Sequence, residues 1–154
     1  MLALCTACGV QHTSPAGDVP ASATPVPFVS VLKLQHSGLV QEAREVLKSR
    51  ADWANLWSTA TSGFDPSRDV PTVDFGRKMV LVAALGRRPT GGYDVFFTAV
   101  YEDEGHLYAI ITDVSPGIGC VTSQAFTAPV AIVTVPRREK PVRFVERTDV
   151  RNCG

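Results

Sequence analysis

The chain has 154 residues, 45% of them hydrophobic and 19% charged, a globular profile of single-domain size that excludes a disordered chain. Lys+Arg and Asp+Glu number 15 each, so the formal net charge is zero, whereas a non-specific nucleic-acid binder needs a basic excess. No apolar run reaches the roughly 18–20 residues of a membrane-spanning helix, and three His and four Cys leave few routes to a metal site, so no metal or cofactor is expected.

Met1–Val10 reads MLALCTACGV, apolar and uncharged. The basic part of a complete secretory signal is missing, so either the start lies upstream or the segment is not a signal. Thr6-Ala7-Cys8 is similar to the bacterial lipobox, in which small residues precede a cysteine that takes a lipid. Residues 1–8 are therefore read as a truncated lipoprotein signal with Cys8 as the lipidation site, giving an exported chain held to the membrane. The alternative is a frayed terminus with a free cysteine. Residues 9–27 contain Pro15, Pro20, Pro25 and Pro27 among Ser, Thr, Ala and Gly, and read as a flexible linker. Cys5 and Cys8 have C-x-x-C spacing but no βαβ pattern around them, so a redox role is not expected.

The folded body is expected from Phe28 to Gly154. Phe28–Gln35 alternates as a strand, Ser37-Gly38 marks a turn, and Gln41–Leu47 can return as the second strand of a hairpin. Ser49 is a good N-cap, and Trp53, Leu56, Trp57 and Ala60 then fall on one helical face, so both tryptophans are expected in the core. Lys78–Leu85 (KMVLVAAL) reads as a strand buried on both faces. Tyr93–Tyr101 and His106–Val114 form an antiparallel pair around a charged turn, and Ser115–Gly119 breaks the ladder. Val130–Val135 and Val142–Val145 add two strands joined by the charged hinge Arg137–Lys140. The fold class is α+β and mostly β: an antiparallel sheet or sandwich of about seven strands with one helix packed on it.

Two features of this body carry covalent or binding chemistry. Once Cys5 and Cys8 are set aside, Cys120 and Cys153 remain in an exported body and are expected to form a disulfide. Closing a loop of that size is worth roughly 3–4 kcal/mol in the chain-entropy model. The segment Gly86–Tyr93 is longer than a hairpin turn needs. Its Arg87, Arg88, Pro89, Thr90, Gly91, Gly92 and Tyr93 read either as a stiff partner-binding ridge or as a structural turn.

The order of these motifs resembles a known family. The helix with Trp53 and Leu56-Trp57, Pro71-Thr-Val-Asp74-Phe75, Arg88-Pro-Thr-Gly-Gly-Tyr93, Pro116-Gly117, Thr127-Ala-Pro129 and Val133-Thr-Val-Pro136 look like the C-terminal domain of PrcB. That family comprises bacterial, often lipid-anchored exported proteins. Its namesake is a subunit of a cell-surface protease assembly and supports the protease without catalytic residues of its own. Pro89-Thr-Gly-Gly-Tyr93 is also similar to the Asn-Pro-Thr-Thr-Gly-Tyr loop of chagasin-type cysteine-protease inhibitors, with Arg88 and Gly91 as departures.

Enzyme classes find little support. No serine lies in a Gly-x-Ser-x-Gly context, His12, His36 and His106 are scattered, and Gly91-Gly92 leads into a strand where a phosphate loop would open a helix. The expected function is a non-catalytic, exported protein-binding module that supports or docks a surface protease at the cell envelope, with no nucleic-acid partner. The alternatives are a chagasin-like inhibitor and a structural envelope domain.

Overall fold

The strand Lys78–Leu85 decides the architecture, because its side chains alternate between two apolar environments. In a computed structural model, which describes residues 19–65 and 68–154, Met79, Leu81, Ala83 and Leu85 face one core and Val80, Val82 and Ala84 face another. Cys5, Cys8 and the first half of the expected linker lie outside the described residues.

The described elements are β1 (Thr24–Pro25), β2 (Val29–Leu34), β3 (Glu42–Leu47), α1 (Arg50–Ala60), β4 (Lys78–Leu85), β5 (Asp94–Glu102), β6 (Leu107–Pro116), β7 (Val130–Pro136) and β8 (Val142–Arg151). They form two four-stranded sheets, in the orders β1-β5-β6-β8 and β2-β7-β4-β3. Every pairing is antiparallel except β6 with β8. The odd residues of β4, with Val133 and Val135 of β7, pack against Val95, Phe97, Leu107, Ala109 and Ile111 of the facing sheet. The even residues, with Val130, Ile132 and Leu32, pack under the helix. The mostly β class, with one helix lying on a sandwich, agrees with the sequence.

Helix α1 is capped by Ser49, whose hydroxyl accepts from the Asp52 N–H at 3.2 Å and donates to its carboxylate at 2.6 Å. Trp53, Leu56, Trp57 and Ala60 are all buried, as their spacing requires. The indole rings meet edge to face at 5.2 Å. Trp53 Nε1 donates to the Pro71 carbonyl at 2.9 Å and Trp57 Nε1 to the Arg68 carbonyl at 3.0 Å. The buried indoles are thereby satisfied, and they tie the connection after the helix to the helix itself.

Four details differ from the sequence reading. First, β2 and β3 are not a hairpin but opposite edges of one sheet. The two predominantly apolar strands, β4 and β7, take the centre, and the amphipathic strands carrying Lys33, Arg44 and Glu45 go to the edges. Second, the described residues form eight strands, because pairing begins ahead of Phe28. Thr24 and Pro25 lie beside Glu102 and Tyr101, and Val26 is buried with its N–H on the Val100 carbonyl at 2.8 Å. Prolines are tolerated there because β1 is an edge. Third, β6 continues to Pro116, two residues into the expected break. Fourth, β8 runs to Arg151, and its register with β6 is maintained from Leu107–Val142 to Pro116–Arg151. Its second half is charged and exposed, which hides it from a hydrophobicity pattern. Since β7 and β8 belong to different sheets, Arg137–Lys140 is a crossing between layers.

Ion pairs clip both open sides of the sandwich. On one side Arg44 of β3 donates to both carboxylate oxygens of Glu146 of β8, at 2.8 and 3.2 Å, and approaches Asp113 of β6 at 3.4 Å. The third guanidinium nitrogen, Nη1, donates to the carbonyls of Ala43 and Ala84. Burial pushes the Asp113 carboxyl up despite the attraction of Arg44, and Glu146 and Glu42 add to the rise. On the other side Lys33 of β2 pairs with Asp94 of β5 at 2.7 Å. At the turn between β5 and β6, Arg138 donates to both oxygens of Glu102 at 2.7 and 2.9 Å, and Lys140 joins at 3.2 Å. Cys120 and Cys153 form a disulfide, with their Cα atoms 4.7 Å apart.

This packing sets two expectations for stability. Trp53→Ala and Trp57→Ala should each cost about 3–5 kcal/mol in urea unfolding, as large aromatic truncations in a core do. A loss under about 1 kcal/mol at both sites would contradict the packing. The second concerns acid. The forked hydrogen bonds from Arg138 hold the Glu102 carboxyl down from 4.5 to about 2. A carboxyl whose pKa is depressed in the folded state stabilises fully above its ordinary pKa, and that contribution fades as pH falls through the folded value. Urea midpoints should therefore drop between about pH 5 and pH 2. Glu102→Gln should be less stable at neutral pH and lose less on acidification; an unchanged acid slope would mean that the Arg138–Glu102 pair does not carry the effect.

Candidate functional site

Successive strands of one sheet can be joined by two residues, but β4 and β5 lie in different sheets. The chain between them, Gly86–Tyr93, must cross from one layer to the other, which is why it is longer than a hairpin turn. The connection from β6 to β7, residues 117–129, makes the reverse crossing. Both emerge at the same end of the sandwich and bond to each other.

The contact between the two crossings is a short ladder. Arg88 and Thr127 form an antiparallel bridge, with N–H to carbonyl distances of 2.7 and 3.0 Å. The Thr127 hydroxyl donates to the Thr90 carbonyl at 2.8 Å, and the Gly91 N–H donates to the Ser123 carbonyl at 3.1 Å. A third segment joins here, as the Ser37 hydroxyl donates to the Ala128 carbonyl at 2.7 Å. This closeness, with the backbone turn, is what requires a glycine at position 92 and favours one at 91. Gly92 has φ +86°, and a Cβ there would lie 2.9 Å from Pro116 Cβ. At Gly91 φ is not positive, but a Cβ would lie 2.7 Å from Ser123 Oγ.

Pro89 and Arg87 stand exposed on the crossing, with Arg88, Thr90 and Tyr93 half-buried. The Arg87 guanidinium lies 5.2 Å from the centre of the Phe126 ring, and that of Arg88 lies 5.8 Å from the Tyr93 ring. Neither forms an ion pair among the described residues, in contrast to Arg44, Arg137 and Arg138. The second crossing exposes Ile118 (85%), Val121 (102%) and Phe126 (65%), and Val40 stands exposed near the first. Between Val40, Arg87 and Phe126 is a cleft of about 290 Å³ that also reaches His36, Ser37 and Gly38.

The C-terminal tail holds this end in place. The Gly117 N–H donates to the Arg151 carbonyl at 2.8 Å, and Ile118 exchanges bonds at 3.0 Å with the Asn152 side chain and the Cys153 N–H. The disulfide from Cys120 to Cys153 closes the same contact.

The structure thus gathers Arg87, Arg88, Pro89, Thr90, Gly91, Gly92 and Tyr93 with the disulfide at one end of the molecule, and Cys8 lies outside the described residues. Sequence reading missed Ile118, Val121 and Phe126 as part of this surface. The signal was three large apolar residues in a Gly-, Ser- and Thr-containing stretch with no strand or helix period. A larger cleft, about 680 Å³, lies at the opposite end beside Glu102, Asp103 and His106. Two of the three acids that line it are engaged internally: Glu102 by Arg138, and Asp103 by the Tyr108 hydroxyl at 2.8 Å and by two backbone N–H groups. Tyr108 holds the Asp103 carboxyl below its usual range, with the His106 and Gly105 N–H groups adding to the effect. Among the described residues no three His, Cys, Asp or Glu side chains gather as metal ligands.

No curated protein and no solved structure matches the chain significantly. The stretch from Met79 in β4 to Pro136 at the end of β7 holds the central strands of both sheets and both crossings, and these residues, 79–136, match the family model described as PrcB C-terminal.

Proposed function

We propose that this protein is a non-catalytic docking subunit, exported and anchored through a lipid on Cys8, that binds a protease with the end of the sandwich formed by the two crossings. The observation that carries the reading is the exposure of Ile118, Val121 and Phe126 on a strapped loop beside Arg87 and Arg88. Exposed large apolar residues that cluster at one end mark contact surfaces. Arg and aromatic residues are enriched where binding energy concentrates. The PrcB C-terminal match covers both crossings and supports a partner of protease-complex type. Thr6-Ala7-Cys8 supports the anchor.

The test is affinity capture of the tagged, full chain from its own cell envelope, with mass spectrometry of the co-eluting proteins. A protease should be enriched with the wild type and lost with Phe126→Ser, whose melting temperature should match the wild type because the ring is exposed. Arg88→Ala should weaken the association by at least about 1 kcal/mol. Gly92→Val should damage both association and folding, since a β-branched side chain is strained at positive φ. Enrichment that Phe126→Ser leaves unchanged would sink the reading. The soluble domain is expected not to inhibit papain-like proteases at micromolar concentration; inhibition would transfer the assignment to the chagasin-like alternative.

A further inference from the structure

The cleft between the crossings has a one-sided chemistry. Its two titratable lining groups, His36 and Arg87, are both bases, and no carboxylate lines it. Its apolar wall is Phe126 and Val40, both exposed. Three other guanidinium groups are matched by acids, Arg44 by Glu146, Arg137 by Glu139 and Arg138 by Glu102, whereas Arg68 lies over the Phe64 ring at 4.1 Å. Arg87 is matched only by the face of the Phe126 ring, 5.2 Å away, and its N–H donors point to no carboxylate among the described residues. Arg88, next in the chain, is held in the same way over Tyr93.

A guanidinium laid on an aromatic ring is partly ordered and weakly hydrated, yet keeps its in-plane donors for a planar acceptor. A carboxylate fits those donors bidentately. The adjoining volume of about 290 Å³ has room for one bulky side chain against Phe126 and Val40. We propose that the cleft recognises a partner segment in which a carboxylate side chain stands close to a large apolar one, the apolar group entering against Phe126 and the carboxylate pairing with Arg87. This rests on the docking reading and specifies the partner's contact chemistry: an acidic, apolar stretch of protein surface or tail. The backbone is already positioned for it, because the Arg87 N–H is held by the Val40 carbonyl at 3.0 Å and Arg88 is bridged to Thr127. Little loop entropy is then lost on binding.

The experiment is selection of a displayed random dodecapeptide library on the immobilised full chain, followed by fluorescence-polarisation titration of a selected peptide. Selected peptides should carry Asp or Glu within a few positions of Leu, Ile, Phe or Trp. Binding should fall at least tenfold in Arg87→Gln, further in Arg87→Glu, and at least tenfold when the peptide carboxylates are replaced by amides. Arg143→Gln, an exposed arginine on β8 at the opposite end, should bind as the wild type does. Selection of neutral or basic peptides, no enrichment at all, or equal binding by Arg87→Gln would overturn the inference. Envelope capture separates this failure from failure of the docking reading. A protease lost from Phe126→Ser but retained by Arg87→Gln removes the acidic partner and leaves the docking surface, whereas a protease retained by both removes the surface.

Discussion

Strand β4 has no solvent face, and most of the architecture is the consequence. Met79, Leu81, Ala83 and Leu85 on one side and Val80, Val82 and Ala84 on the other are almost fully excluded from water. At about 25 cal/mol per Å² of apolar surface, leaving either row exposed would be costly for a domain whose net stability is only about 5–15 kcal/mol. One row is therefore covered by the second sheet and the other by a helix. That requirement explains why the only helix among the described residues carries two tryptophans on one face. It also explains why the chain must leave one sheet for the other straight after Leu85. The crossing at Gly86–Tyr93 is a product of the layering before it is anything functional.

The polar contacts have a different role. Arg44 with Glu146, and Lys33 with Asp94, each join an edge of one sheet to the facing sheet across an open side of the sandwich. Lys33 and Glu146 are substantially exposed, so these pairs contribute modestly to stability. Their geometry is nevertheless demanding. Arg44 meets Glu146 with two donors and also caps the Ala84 carbonyl, so a slipped β8 register would leave a largely buried guanidinium without its acid. The pairs stabilise one alignment of the two sheets over its neighbours, while the apolar layers supply most of the energy.

Legibility in the sequence followed the kind of force at work. The helix was readable to its cap, because Ser49 and the spacing of Trp53, Leu56, Trp57 and Ala60 are local signals. The double burial of β4 was readable because a continuous apolar run over a strand length needs cover on both faces. The pairing of β2 with β7, and not with β3, was not readable. Neighbours in sequence pair by default, and only the competition of four strands for two central places decides otherwise. The far half of β8 was hidden because Glu146, Arg147, Asp149 and Arg151 are all exposed on an edge, where a strand needs no apolar alternation. Of the site, the first crossing stood out through its arginines and paired glycines. Phe126 did not, since an apolar residue in a loop becomes informative only when its exposure and its neighbour Arg87 are known.

The parallel pairing of β6 with β8 links the fold to the end where the two crossings meet. It places Arg151 opposite Pro116, so the chain leaves β8 where the second crossing begins. Asn152 and Cys153 then need only a few residues to reach Ile118 and Cys120, and the disulfide locks an approach that the register has already produced. Without that strap, the segment carrying Ile118 and Val121 would be a long irregular loop with apolar side chains in water, free to collapse or to pair elsewhere. With it, those side chains stay presented, and the entropy of ordering the loop is spent in folding and not at the moment of binding. The match to the PrcB C-terminal model ends at residue 136, whereas the strap comes from residues beyond it. The matched strands supply the platform, and the C-terminal strand and tail brace its exposed end, as the proposed docking role requires.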